Sequence, residues 1–132
     1  MRLWHIDLIP YLPKSQLLAQ WRELNSIFKK QDNHILINYI YNYDKKYLKF
    51  YADMVIFEMW KRDYNIKSMN NYDEYFKQVK THHIMSEFKE HDDEYLTICY
   101  YNLKEKYLRG QNDFTDDVWN KLDEFYKRRI KL

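Results

Sequence analysis

Leu17, Trp21, Leu24 and Phe28 recur at intervals of three and four residues, the spacing of one helix face, and predict a first helix over roughly residues 14–30. Pro10 and Pro13 interrupt the segment before it. Between residues 33 and 43 the pattern weakens. His34, Ile35, Leu36, Ile37, Asn38, Tyr39, Ile40 and Tyr41 are rich in strand formers but alternate poorly, so a short strand, a turn of helix and an ordered connector all remain open. From 44 to 61, Tyr47, Leu48, Tyr51, Met54, Val55, Phe57 and Met59 cover most of a helix circumference and predict a central helix buried on several sides.

A weaker pattern of Tyr72, Tyr75, Phe76 and Val79 follows Asn70 and Asn71 and predicts one or two further turns, ending in a polar turn at His82 and His83. Asp92 and Asp93 place acids where a helix starts, Leu96, Cys99, Tyr100, Leu103 and Tyr107 form an apolar stripe, and Gly110 supplies a stop. A last helix, opened by Thr115, Asp116 and Asp117, would bury Val118, Trp119, Leu122, Phe125 and Tyr126. It ends on Lys127, Arg128 and Arg129, so charge complements its macrodipole at both ends. Packing these four or five amphipathic pieces implies an all-α fold, a single-domain helical bundle over residues 1–132.

Composition adds limits. With one glycine and two prolines there is no linker or low-complexity stretch, which favours long helices joined by modest loops. Hydrophobic residues make up 45% and charged ones 32%, enough apolar material for one core and enough charge for solubility. The net charge of +2 makes the global field too weak to argue for a polyanion partner, so nucleic acid must be argued locally. The 14 tyrosines come with many asparagines, lysines and isoleucines, the residues an AT-rich genome favours, and are not counted as base-stacking signals. The lone Cys99 excludes an internal disulfide, and no cysteine or histidine spacing matches a structural zinc site; no metal and no cofactor are expected. No apolar run is long enough for a membrane span, and Asp7 and Pro10 come too early for a signal peptide, so a cytoplasmic monomer is expected.

No Gly-rich phosphate loop, HExxH pair, CxxC pair or Ser-His-Asp context is present. On the first helix, the face opposite the apolar stripe carries Gln16, Ala19, Gln20, Arg22, Glu23 and Ser26. The small Ala19 and Ser26 leave room beside the single carboxylate, Glu23. From these residues alone a solvated face with an ordinary glutamate is the simpler account. The histidines also have plain readings: His34 begins the connector, His91 flanks a helix start, and His5 could orient a group near the amino terminus but is more simply a core or surface residue. Cys99, on an apolar stripe, reads as buried and inert.

The stretch Gln16-Leu17-Leu18-Ala19-Gln20-Trp21-Arg22-Glu23-Leu24 is similar to the first-helix signature of the pyrimidine-dimer DNA glycosylases of the phage endonuclease V type, a leucine-rich turn leading into Arg-Glu-Leu. Tyr43-Asp44-Lys45 through Lys61-Arg62-Asp63-Tyr64-Asn65-Ile66 resembles that family's second helix and the turn ending it. Met1-Arg2-Leu3-Trp4-His5, Leu8-Ile9, Leu12-Pro13, Glu90-His91, Glu94-Tyr95-Leu96 and Asn102-Leu103-Lys104-Glu105-Lys106 resemble its uncharacterised bacterial members still more closely. The likeness spans about residues 1–108, and the helix at about 115–130 lies outside it.

The resemblance implies a helical bundle with the amino terminus packed against helix one. It also implies a DNA-repair glycosylase with abasic-site lyase activity on damaged or abasic double-stranded DNA. The α-amine of Met1 would be the nucleophile, forming a Schiff base, and Glu23 the catalytic carboxylate. Arg22 would hold a phosphate, with Arg2, Gln16 and Ser26 as further DNA contacts. Two positions depart from the pattern: Arg2 should block removal of the initiator methionine, leaving a bulkier Met1, and Ser26 stands where a basic residue is expected. The alternatives are a non-catalytic nucleic-acid binding module that keeps the fold only, and a helical interaction protein.

Overall fold

Leu3, Trp4, His5, Ile6, Leu8, Ile9 and Leu12 are all buried, so the opening segment runs through the core and is covered by helices from the rest of the chain. The computed structural model describes residues 2–80 and 86–131. The predicted polar turn at His82 and His83 and the α-amine of Met1 lie outside the described residues. After an extended start, Ile6–Tyr11 forms a 3-10 helix whose N-cap is His5, the imidazole Nδ1 accepting from the Asp7 N–H. Five α-helices follow: α1 Lys14–Lys29, α2 Lys45–Lys61, α3 Asn70–Tyr75, α4 Asp93–Leu108 and α5 Asp116–Ile130. No strand occurs among the described residues, and no helix there is long and apolar enough to cross a membrane. The all-α bundle expected from the sequence is the fold observed.

The α1 range agrees with the prediction, and its start has a physical reason. Pro13 contributes no side-chain cap. Asp113, from the loop before α5, serves instead: the Ser15 N–H donates to one of its carboxylate oxygens at 2.6 Å and the Ser15 hydroxyl to the other at 2.8 Å. Three of the other helices carry their own caps, with Asp44, Asp92 and Thr115 accepting from N–H groups of the first turns of α2, α4 and α5. At the end of α4, Gly110 sits at φ 84°, with the Gly110 N–H donating to Tyr107 and the Gln111 N–H to Lys106, the Schellman arrangement expected of a glycine stop. The same pair of bonds ends α2, although there Asp63, not glycine, takes the left-handed conformation at φ 61°.

The structure decides one reading that the sequence left open and departs from expectation in another. The connector resolves into a turn over 35–37 followed by a 3-10 helix, Asn38–Asn42, in which Ile37 and Ile40 are buried. In α2, Phe57 and Trp60 are exposed, so this helix is not apolar all round. Its partners, α1 and the two 3-10 helices, cover only the face of Leu48, Tyr51, Ala52, Val55, Ile56 and Met59. Glu58 is buried there as well, paired with Arg62 at 2.7 Å, and Arg62 also donates to the carbonyls of Leu12 and Pro10, closing the turn that leads into α1. The helix pairs α1 with α2 and α3, and α4 with α5, flank the opening segment. Between α4 and α5, Tyr100 stacks on Tyr126 and Tyr107 on Trp119.

Candidate active site

An extended segment buried with no sheet partner leaves its backbone polar groups to be satisfied by other means, because an unpaired buried N–H or C=O is costly. Side chains from α1, α2, α4 and the α4 N-terminal loop do this here. The Trp4 N–H donates to Gln20 Oε1 at 2.8 Å, and Gln20 Nε2 donates to the Arg2 carbonyl at 3.2 Å. The Tyr51 hydroxyl donates to the Trp4 carbonyl at 2.7 Å and lies 2.9 Å from Gln20 Oε1, and the Tyr95 hydroxyl donates to the Leu3 carbonyl. The Ile6 N–H donates to His91 Nδ1 at 3.1 Å. His91 is held neutral because burial, reinforced by the neighbouring His5, drives its pKa down to about 3. With Nδ1 accepting, the ring proton sits on Nε2, which donates to the Tyr39 hydroxyl at 2.7 Å. His91, read from the sequence as flanking a helix start, is thus a core residue that ties the opening segment to the rest of the fold.

The face of α1 that reads as solvated in the sequence is therefore partly covered, and Gln20 is only 1% exposed. Its amide is fully used: Oε1 faces two donors, and Nε2, besides holding Arg2, donates to Glu23 Oε2 at 3.0 Å. Replacing Gln20 by leucine, of similar size, leaves the Trp4 N–H and the Arg2 carbonyl without partners and is expected to cost about 2–4 kcal/mol. Urea unfolding at pH 7 measures this, and an unchanged midpoint would mean that the bridge contributes nothing to the fold.

Glu23 opens into a cleft of about 310 Å³ whose walls come from four parts of the chain: Arg2 and Trp4 from the opening segment; Gln16, Ala19, Gln20 and Glu23 from α1; Leu36 from the connector; and Asn102 and Lys106 from α4. Partial burial pushes the Glu23 carboxyl above its ordinary range, against the opposing pull of Arg22, the Gln20 hydrogen bond and Lys106. A carboxyl so raised exchanges protons closer to neutral pH than a free one. The Arg2 guanidinium lies 5.9 Å from the ring centres of both Trp4 and Tyr95, which aims a fixed cation at the cleft.

Of the residues singled out in the sequence, Arg2, Gln16 and Glu23 meet in this cleft. Gln16 also donates to Gln111 at 2.9 Å. Arg22 and Ser26 do not join them; they line a separate groove of about 640 Å³ with Trp21, Asn25, Lys29 and Lys67. The Ser26 hydroxyl is turned back onto the Arg22 carbonyl at 3.2 Å. Lys106, Asn102 and Leu36 are the members that pattern reading missed, since nothing in their local sequence connects them to α1. Cys99 is buried, and burial raises its thiol pKa, which leaves it unreactive as expected. Among the described residues no group of three or more His, Cys, Asp or Glu is arranged to hold a metal ion.

The family model for pyrimidine dimer DNA glycosylase matches residues 1–72, a span that contains the opening segment, α1, α2 and the first turn of α3. Comparison with curated proteins and with solved structures returns no match. The matched span carries Arg2, Gln16, Gln20, Arg22, Glu23 and Ser26, while Asn102 and Lys106 of the same cleft come from outside it. With more than half of its 132 residues matched, and with the matched residues forming most of the cleft around Glu23, the chain belongs to the pyrimidine dimer DNA glycosylase family of DNA-repair proteins.

Proposed function

We propose that the chain removes damaged bases from double-stranded DNA and cleaves the resulting abasic site, with the α-amine of Met1 as nucleophile and Glu23 as acid, base and electrostatic partner. The observation that carries this reading is the Gln20 amide nitrogen, which holds the Arg2 carbonyl and the Glu23 carboxylate together. Met1 is the residue bonded directly to that anchored Arg2 in the sequence. An α-amine, with an ordinary pKa of about 7.7–8.0, keeps a neutral fraction near pH 7 that a lysine lacks.

The amine nitrogen bonds to C1′ of the sugar as the bond from C1′ to the base breaks, and the base leaves with the electron pair and takes up a proton. A proton passes from the nitrogen through Glu23 to O4′, the ring opens and C1′ becomes an imine. Loss of a C2′ proton to the carboxylate then expels the 3′ phosphate and breaks the strand, and water releases the amine. The raised Glu23 pKa suits a group that must both give and take protons. In this reading Arg2 and Lys106, which line the cleft, and Arg22, which lines the adjacent groove, bind the phosphates on either side, with Gln16 and Ser26 as neutral hydrogen-bonding contacts. The chain acts as one unit in this reading, α5 bracing the opening segment through Arg129, which pairs with Asp7 at 2.7 Å and Asp93 at 3.2 Å.

The test is borohydride trapping of protein with a free amino terminus on a duplex containing one abasic site. A covalent band is expected, and it should vanish when the α-amine is acetylated. A folded protein that binds the duplex and gives no band overturns the amine chemistry and leaves a binding module with this family's fold.

A further inference from the structure

The connector after α1 ends in an apolar tip. Ile35 is 81% exposed and Leu36 38%, although Ile37 and Ile40 beside them are buried. The tip is not loose. The His34 carbonyl accepts from the N–H groups of Ile37 at 3.0 Å and Asn38 at 2.9 Å, and His34 Nδ1 accepts from the Leu36 N–H at 3.2 Å. The His34 N–H donates to Asp32 Oδ1 at 2.9 Å, and the Asp32 N–H in turn donates to the Tyr41 hydroxyl at 2.8 Å. A turn braced in this way has already given up its backbone freedom, so it presents its two apolar side chains at little further entropic cost. Leu36 lines the cleft that holds Glu23, with the cations Arg2 and Lys106 on the same walls.

Resting on the glycosylase reading above, we propose that Ile35 and Leu36 form a wedge that enters the base stack of duplex DNA beside the nucleotide drawn to Glu23. The sugar carbon of a stacked nucleotide is out of reach of a cleft, so the nucleotide must be displaced, and the gap it leaves must be held open. Leucine and isoleucine are among the side chains that proteins insert between base steps to unstack and kink a duplex. Two side chains are too small an area to hold a protein partner but match the opening of a single base step. The neighbouring cations fix the phosphates while the tip enters.

The experiment uses the intact protein and a duplex carrying a tetrahydrofuran abasic analogue, which cannot form an imine, flanked by 2-aminopurine as a reporter of unstacking. With saturating wild-type protein the emission should rise severalfold. Ile35→Ala and Leu36→Ala should leave it near the level of the free duplex, and both sites are exposed enough that the fold is spared. Leu108→Ala, an equally apolar change at a 69% exposed position that does not line the cleft, should behave as wild type. An equal rise with wild type and both tip variants, or no rise with wild type, overturns the wedge. Trapping on a true abasic duplex in parallel separates the two readings: emission without an adduct sinks the amine chemistry and keeps the wedge, and an adduct without emission sinks the wedge alone.

Discussion

Glu23→Gln is expected to lower strand cleavage by about 10²- to 10⁴-fold, the usual size of a lost general acid–base group. Its thermal midpoint at pH 7 should be unchanged or slightly higher. The amide is the same size and its oxygen still accepts from Gln20 Nε2, so the anchor on Arg2 survives. The sign of the stability effect follows from the raised pKa of the native carboxyl. A carboxyl with a higher pKa folded than unfolded favours the native state below its unfolded pKa, and loses that contribution as the pH rises through the folded value. At pH 7 Glu23 is thus a strained charge whose removal relaxes the fold, and the advantage of glutamine should fade as the pH falls into the ordinary glutamate range. Single-turnover cleavage of an abasic duplex and thermal melts from pH 7 to pH 4 measure both effects. Undiminished cleavage would remove Glu23 from the mechanism, and a clearly lower midpoint at pH 7 would give it a structural role instead.

A site that costs stability is hard to see in a sequence, and the parts that were legible are those decided by local chemistry. The α4 and α5 ranges were readable because each combines a stripe at helical spacing with acids, a cap or Gly110 at its ends, and α1 because its stripe from Leu17 to Phe28 begins just after Pro13. Glu23 and Arg2 were found through a residue string, not through any pattern of burial. The path of the opening segment escaped reading by periodicity, because its hydrogen bonds go to Gln20, Tyr51, His91 and Tyr95, residues 16 to 92 positions away. No periodicity records a buried extended segment satisfied by side chains. The same blindness made Gln20 look solvated and His91 incidental, and it hid Lys106, which reaches the cleft from another helix. Phe57 failed for the opposite reason: an apolar residue was counted toward the core on a helix with too few neighbours to cover it.

His91→Ala should be the most destabilising single change outside the aliphatic core, about 3–5 kcal/mol. It leaves the Ile6 N–H and the Tyr39 hydroxyl unpartnered and opens a cavity among Tyr39, Tyr51, Phe88 and Tyr95. The same residue should set the acid limit of the fold. An unfolded histidine takes up its proton near pH 6.5 and the native His91 only near pH 3, held down by burial and by His5 although Asp7 and Asp92 pull the other way. Between those values the unfolded chain binds more protons, so stability is full above pH 6.5 and falls as the pH drops toward 3. At about 1.4 kcal/mol per pH unit, the loss from pH 7 to pH 5 is about 2 kcal/mol, before most carboxylates titrate. His91→Gln separates charge from packing, since its amide can still accept from Ile6 and donate to Tyr39 but has no proton to gain. Urea unfolding of this variant should show a clearly shallower profile from pH 7 to pH 5, the remaining slope coming from His5, whose pKa burial also lowers, whereas a slope equal to that of wild type would place the proton uptake elsewhere. Because His91 holds Ile6 while Gln20 holds Trp4 and Arg2, acid should loosen the opening segment and with it the anchor beside Glu23. Strand cleavage by wild type should then fall with its stability below pH 6, and fall less in His91→Gln.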